Sequence, residues 1–141
     1  MPTTPGAWTR RGFISVYRGD TEKAISSFER SLHLSPLDPF SFNSYIGLAL
    51  CNFALGKPGE AVQWTRRTMR EKIGMTWAYR DLATFLAAAG KIEEAKAALA
   101  KFIETRPYLT LAGVEKALIF MEPSLLRRYL DGLLMAGLKK E

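Results

Sequence analysis

Residues 87–102 read AAAGKIEEAKAALAKF, and the phrasing recurs twice earlier in the chain. Residues 16–31 read VYRGDTEKAISSFERS, and residues 53–68 read FALGKPGEAVQWTRRT. In each, an apolar run leads to a glycine and an alanine follows five positions later. Gly19 and Gly56 are 37 residues apart, and Gly56 and Gly90 are 34 apart; Ala24, Ala61 and Ala95 keep the same intervals. A period of this length marks stacked supersecondary units.

Each unit reads as two helices. The first helices, WTRRGFISVY, FSFNSYIGLALCNFAL and TWAYRDLATFLAAA, space their apolar residues for one helical face. The glycine that follows ends a helix without strain because it accepts a left-handed conformation. Asp20 and Thr21 are placed to cap the next helix. The second helices align Ala24, Ile25, Phe28 and Leu32 with Ala61, Val62, Thr65 and Met69, and with Ala95, Lys96, Leu99 and Ile103. The recurrent alanine lets two helices approach closely. Pro36 and Pro107 stop the second helices of units one and three, and Gly74 does so in unit two. The extra residues between units one and two fall in SPLDPFS, with Asp38 read as an N-cap, Pro39 as the first helical residue, and the insertion as lengthening the next helix.

These positions resemble the tetratricopeptide repeat, W-x2-L-G-x2-Y, then A-x3-F, then P. Unit one supplies Trp8, Gly12, Ala24, Phe28 and Pro36; unit two Tyr45, Leu48, Ala49 and Ala61; unit three Tyr79, Leu82, Ala83, Ala95, Leu99 and Pro107. The resemblance implies an all-α fold, a right-handed superhelical solenoid. Its three helix pairs span about 5–38, 39–74 and 75–108, within one domain of residues 1–141.

Past Pro107 the wording changes. LTLAGVEKALIF (109–120) reads as a helix opening near Thr110, and Pro123 opens another. Leu125, Leu126, Tyr129, Leu130, Leu133 and Leu134 form its apolar face, and Gly137 its C-cap. This pair, about 109–137, is expected to cap the open core of the last repeat, as solenoids require. The stretches GDTEKAISSFERSLHLSPLDP, RPYLTLAGV and EPSLLRRYLDGLLMAGL resemble the C-terminal tetratricopeptide region of bacterial class III adenylate/guanylate cyclases. Related tails occur on winged-helix transcription regulators. The resemblance implies a regulatory segment of a larger protein. The strands and paired metal-binding aspartates of a cyclase domain are not found here, so cyclase activity is not expected of this chain. Trp8 already holds the fourth repeat position, so the outer face of the first unit is expected to be covered by a further segment or by self-association.

By the same resemblance the first helices line a concave groove for a protein or peptide partner. Its expected residues are Phe13 and Tyr17 in unit one, Asn43, Ile46 and Leu50 in unit two, and Trp77, Arg80 and Thr84 in unit three, with Thr9, Val16 and Phe53 beside them. Their apolar and aromatic character suits an apolar peptide or helix. The competing reading of Val16, Leu50 and Phe53 is inter-helix core. Chaperone-binding relatives clamp a peptide carboxylate with cations at positions that here hold Thr9, Phe13, Gly47, Trp77 and Asp81, so a co-chaperone role is not expected.

Composition narrows the rest. With 48% apolar residues the chain can build a real core. No apolar run is long enough to cross a bilayer, and MPTTPGAWTRRG lacks the layout of a secretion signal. A single cysteine, Cys51, forms no internal disulfide and fits a reducing cytoplasm; mid-helix among apolar neighbours, it reads as core rather than nucleophile. His33 is the only histidine, so no metal site is expected. GKPGE (56–60) lacks the phosphate-loop spacing, and no cofactor is expected. Glu93 and Glu94 suit the positive end of a helix rather than acid–base chemistry. Arg66, Arg67, Arg70 and Lys72, with Arg127 and Arg128, read as solvated faces rather than a nucleic-acid stripe. The reading that results is a non-catalytic interaction module, cytoplasmic and bacterial. The resemblance implies a nucleotide-cyclase parent; the alternatives are the sensory module of a winged-helix regulator or a standalone adaptor.

Overall fold

The computed structural model describes residues 4–141. Among these, eight α-helices and no strands are found. They are α1 (Pro5–Tyr17), α2 (Thr21–Leu34), α3 (Ser41–Ala54), α4 (Pro58–Glu71), α5 (Ala78–Ala88), α6 (Ile92–Thr105), α7 (Leu111–Ala117) and α8 (Pro123–Met135). Consecutive helices pair as the repeat predicts, α1 with α2, α3 with α4, and α5 with α6. The chain forms two compact units, residues 1–73 and 74–141.

The turns inside the hairpins follow from the glycines. Gly19, Gly56 and Gly90 take φ of +89°, +77° and +82°, the left-handed region that closes a helix by bonding back to its last carbonyls. Ser35 and Arg106, each just before a proline, end α2 and α6. Two capping expectations change. Asp20 stands at the N-cap of α2 but makes no side-chain cap bond. Asp38 does not start α3: its Oδ1 accepts from the Phe40 amide at 2.8 Å and its carbonyl from Ser41 at 3.0 Å. The inserted residues therefore form an Asx-type turn, and α3 is no longer than α2.

In the first unit α2 packs on α3, and α1 also reaches α3. Phe28 fills the centre and is fully buried. Its ring lies where a Cβ on Gly12 would come within 2.6 Å, and one on Gly47 would collide with it. Two glycines on different helices thus make the space for one phenylalanine. The stripe facing inward is not quite the expected one. Ala24, Ala61 and Ala95 are fully buried, but Ile25, Leu32, Met69 and Ile103 are half-buried and Lys96 is exposed. Phe28, Val62, Thr65 and Leu99 are buried as expected, and the remaining inner positions are Ser27 and Ser31, then Thr68, then Ala98 and Phe102. The hydroxyls pay no desolvation penalty, because Ser27, Thr65 and Thr68 donate to the carbonyls of Lys23, Ala61 and Trp64 one turn back, at 3.1, 2.8 and 3.0 Å.

In the second unit α8 packs against α5, and α7 packs on α8. Leu125, Leu126, Tyr129, Leu130 and Leu133 are buried as the apolar face predicts, whereas Leu134 is exposed. α7 is shorter than its sequence stretch suggests. Thr110 caps it by accepting from the Gly113 amide at 3.1 Å. The next orphan amides, of Leu111 and Ala112, donate to the carbonyls of Lys139 and Lys140 at 2.7 and 3.1 Å. The chain end therefore returns to the start of α7 and closes the cap. Glu122, not singled out by the sequence, is the N-cap of α8 and accepts from the Ser124 and Leu125 amides.

Candidate functional site

A cavity of about 410 Å³ opens in the first unit between the start of α1, the turn before α3, and the start of α3. Two of its lining residues, Thr9 and Ser31, belong to a cluster of hydroxyls. Thr9 Oγ1 on α1 lies 2.8 Å from Ser31 Oγ on α2 and 3.0 Å from Ser44 Oγ on α3. Ser31 Oγ donates to the Pro5 carbonyl at 2.8 Å. Thr9 Oγ1 also reaches the Pro5 carbonyl, at 3.1 Å, so Thr9 and Ser31 share that acceptor and the Thr9–Ser31 and Thr9–Ser44 bonds can run in either direction. The cluster ties three helices together. Thr4 holds the first turn of α1 in place by accepting from the Ala7 amide at 3.2 Å.

One wall is Phe13, whose ring meets Phe28 edge-on at 5.0 Å and Tyr17 at 5.8 Å. The rim carries Phe40, 67% exposed and presented there by the Asp38 turn. Asn43, half-buried, lines the opposite side with a side-chain amide that both donates and accepts. Arg10 and Asp38 add one charge of each sign.

Of the residues expected to form a groove, Phe13 and Asn43 meet at this cavity, together with Thr9. Tyr17 is half-buried against Phe13. Ile46 and Leu50 are buried at 5% and 8% exposure, as are Val16 and Phe53, and serve as core. Trp77 stands at the N-cap of α5 and is 40% exposed. Arg80 and Thr84 are engaged by α8: Arg80 Nε donates to the Tyr129 hydroxyl at 3.0 Å, and Thr84 Oγ1 donates to the Tyr129 carbonyl at 2.6 Å. Thr84 is fully buried and has no surface to offer a ligand. Asp38, Phe40 and Arg10 were not foreseen as site residues. The Asp-Pro pair in SPLDPFS was the available signal, since an Asx turn projects the residue after the proline outward.

The Tyr129 hydroxyl also donates to Asp81, so Arg80, Asp81 and Tyr129 form one knot between α5 and α8. Burial pushes the Asp81 carboxyl above the usual carboxylate range, with Arg80 and the Tyr129 bond pulling the other way. Burial, with Asp81 beside it, pushes the Tyr129 phenol well above its ordinary value. The Tyr129 ring packs edge-on against Phe85 at 6.4 Å. A second cavity, about 440 Å³, lies between α7 and α8, lined by Leu111, Ile119, Met121, Leu126 and Leu130 with Glu115, Arg127 and Asp131.

Cys51 is fully buried, and desolvation pushes its thiol up to about 12, so no thiolate forms near neutral pH. Among the described residues no group of three His, Cys, Asp or Glu could hold a metal, and no helix is long and apolar enough to cross a membrane.

Paired helices, glycine-closed turns and a cavity bordered by first helices define a class, the helical-hairpin repeat. Residues 5–36, which are α1, α2 and the turn after them, match the tetratricopeptide repeat, and the match supports a tetratricopeptide-repeat protein. Such repeats are in general non-catalytic protein–protein interaction modules. No curated protein matches the chain.

Proposed function

We propose that this chain binds a partner protein through the cavity of the first unit. One observation carries the reading: Phe13 and Asn43, 30 residues apart in sequence and picked from separate repeats, line the same cavity. The rings of Phe13 and Phe40 supply apolar contact area, and the Asn43 amide can pair with the backbone of an extended segment or the end of a helix. Thr9 and Ser31 line the cavity already held by hydrogen bonds, Thr9 also to Ser44, which reduces what must be ordered on binding. A photo-crosslinking side chain at position 40 tests the site. The expected result is a crosslinked protein whose capture falls when Asn43→Ala is added and the melting temperature is unchanged. Equal capture by Asn43→Ala moves the site elsewhere.

In the same reading the module is the regulatory, scaffolding end of a class III nucleotide cyclase. What supports this is the resemblance of residues 19–39, 106–114 and 122–138 to such tails. The gene sequence immediately upstream decides: strands with paired aspartates support the cyclase, while a winged-helix pattern supports a transcription regulator. Cytoplasmic residence rests on the lone cysteine, Cys51. Self-association through the outer face of the first hairpin is tested by sedimentation at micromolar concentration, where a strictly monomeric chain removes it.

A further inference from the structure

One first helix already carries another helix. By the 37- and 34-residue intervals of the repeat, Arg80, Asp81 and Thr84 on α5 are in register with Thr9, Arg10 and Phe13 on α1. These three α5 residues hold Tyr129 of α8. Arg80 Nε donates to the phenol at 3.0 Å, the phenol donates to Asp81, and the Thr84 hydroxyl donates to the Tyr129 carbonyl at 2.6 Å. α8 is thus seated on this face of α5, and Thr84 is fully buried there.

The same face of α1 borders a cavity instead. Thr9, Arg10 and Phe13 all line it, with Thr9 and Phe13 half-buried and Arg10 exposed. In the middle hairpin the equivalents, Ile46, Gly47 and Leu50, are buried. Gly6 adds room on α1. Its equivalents are Asn43 and Trp77, and a Cβ on it would meet, among the described residues, only Arg10 Nη1, at 3.6 Å.

Given that this cavity binds a protein, we infer that its occupant is an amphipathic helix of the partner that inserts an aromatic ring without a hydroxyl, seated on α1 as α8 is seated on α5. The differences between the two faces specify the ring. Asp81, which accepts from the phenol, is replaced in register by Arg10, and Thr84, which bonds the helix backbone, by Phe13. Thr9, in the place of Arg80, is already bonded to Ser31 and Ser44. A plain ring packs on Phe13 and Phe40 and brings no polar group to be buried. The charges of the lining set the flanks of that helix. Arg10 and Asp38 supply one of each sign, so a complementary helix carries an acid and a base close to its ring, as α8 carries Arg128 and Asp131 close to Tyr129.

The test is fluorescence anisotropy of the full chain with labelled synthetic peptides of residues 122–138, a sequence that already seats on such a face. The Tyr129→Phe peptide is expected to bind saturably, the unaltered peptide no more tightly, and the Tyr129→Ala peptide at least about tenfold more weakly, because a buried ring is lost. A Leu130→Pro peptide, broken as a helix, is expected to lose at least as much. In the chain, Gly6→Leu fills the cavity from a helical position and is expected to weaken the Tyr129→Phe peptide at least about tenfold with the melting temperature unchanged. Should that chain not fold, Phe40→Ser, at a rim position 67% exposed, decides, with a smaller loss expected. No saturable binding, a tighter unaltered peptide, or equal binding of the Tyr129→Ala or Leu130→Pro peptide each overturns the inference. So does binding indifferent to Gly6→Leu and Phe40→Ser, the mark of a peptide that displaces α8 from α5. If the crosslinker at position 40 still captures a protein in an Asn43-dependent way, only the helical occupant falls; if that capture fails too, the cavity is not the binding site.

Discussion

Thr84 and Tyr129 stand 45 residues apart in the chain, yet the Thr84 hydroxyl donates to the Tyr129 carbonyl across 2.6 Å. So short a reach to a backbone oxygen requires α8 to lie almost on α5, and Gly132 permits it. A Cβ there would come within 2.7 Å of the Thr84 carbonyl, which cannot swing aside as a side-chain tip could. Thr84→Val keeps the volume and loses the bond, an expected cost of about 1 kcal/mol. Gly132→Ala is expected to cost about 3 kcal/mol by overpacking. Urea unfolding of both measures the order; a Gly132→Ala no worse than Thr84→Val would mean that α8 sits further out.

Phe28 makes a matching claim on the first unit. Its ring fills the space above Gly12 and Gly47, so Gly47→Ala is expected to destabilise by about 3 kcal/mol. In a Phe28→Leu background the same substitution should cost at least about 1 kcal/mol less, since its obstacle has shrunk. A double-mutant cycle by denaturant titration reads the coupling, and additive costs would contradict the packing described.

The two perturbed carboxyls predict opposite pH slopes. Burial raises Asp81, so the folded chain holds that proton more tightly than the unfolded chain. Its stabilisation is full below the unfolded pKa and is lost as pH rises through the folded value. Glu122 is held below the usual range by the Ser124 hydroxyl and by the Ser124 and Leu125 amides, which bind its charged form. Its contribution is present above the unfolded pKa and is lost as pH falls through the folded value. Stability of the native chain relative to Asp81→Asn should therefore fall with rising pH across the acid range, while that relative to Glu122→Gln should rise. Thermal melts across that range test both signs.

Cys51 should be unreactive until the fold opens. Its thiol is fully buried and raised to about 12, so a disulfide reagent at neutral pH meets neither access nor thiolate. Labelling is expected to follow the opening of α3, accelerating in urea in step with unfolding. Stoichiometric labelling of the native chain within the mixing time would show that this part of the core is not closed.

Much of the fold was legible because its signals are local. The interval from Gly19 to Gly56 to Gly90 places the turns, since only a residue without a Cβ takes their positive φ cheaply. Pro36 and Pro107 mark helix ends for an equally local reason, the missing amide hydrogen. Less legible was the inward face of the second helices. Ser31 and Thr68 look like surface residues, but a hydroxyl that finds an acceptor buries at little cost, and no periodicity of apolar residues reveals it. The site divided the same way. Phe13 and Asn43 were found by repeat position, whereas Asp38 and Phe40 depended on a turn that the helix reading had absorbed into α3.

The amino-acid order by itself determined that this protein is made of paired helices and where the glycine turns between their members fall, because those properties are set within a few residues along the chain. Only the tertiary structure decided that Tyr129 joins Arg80, Asp81 and Thr84, that α8 packs on α5, and that hydroxyls from three helices bond to one another. These depend on distances between segments far apart in sequence, and packing in three dimensions selects them among many pairings with the same local pattern.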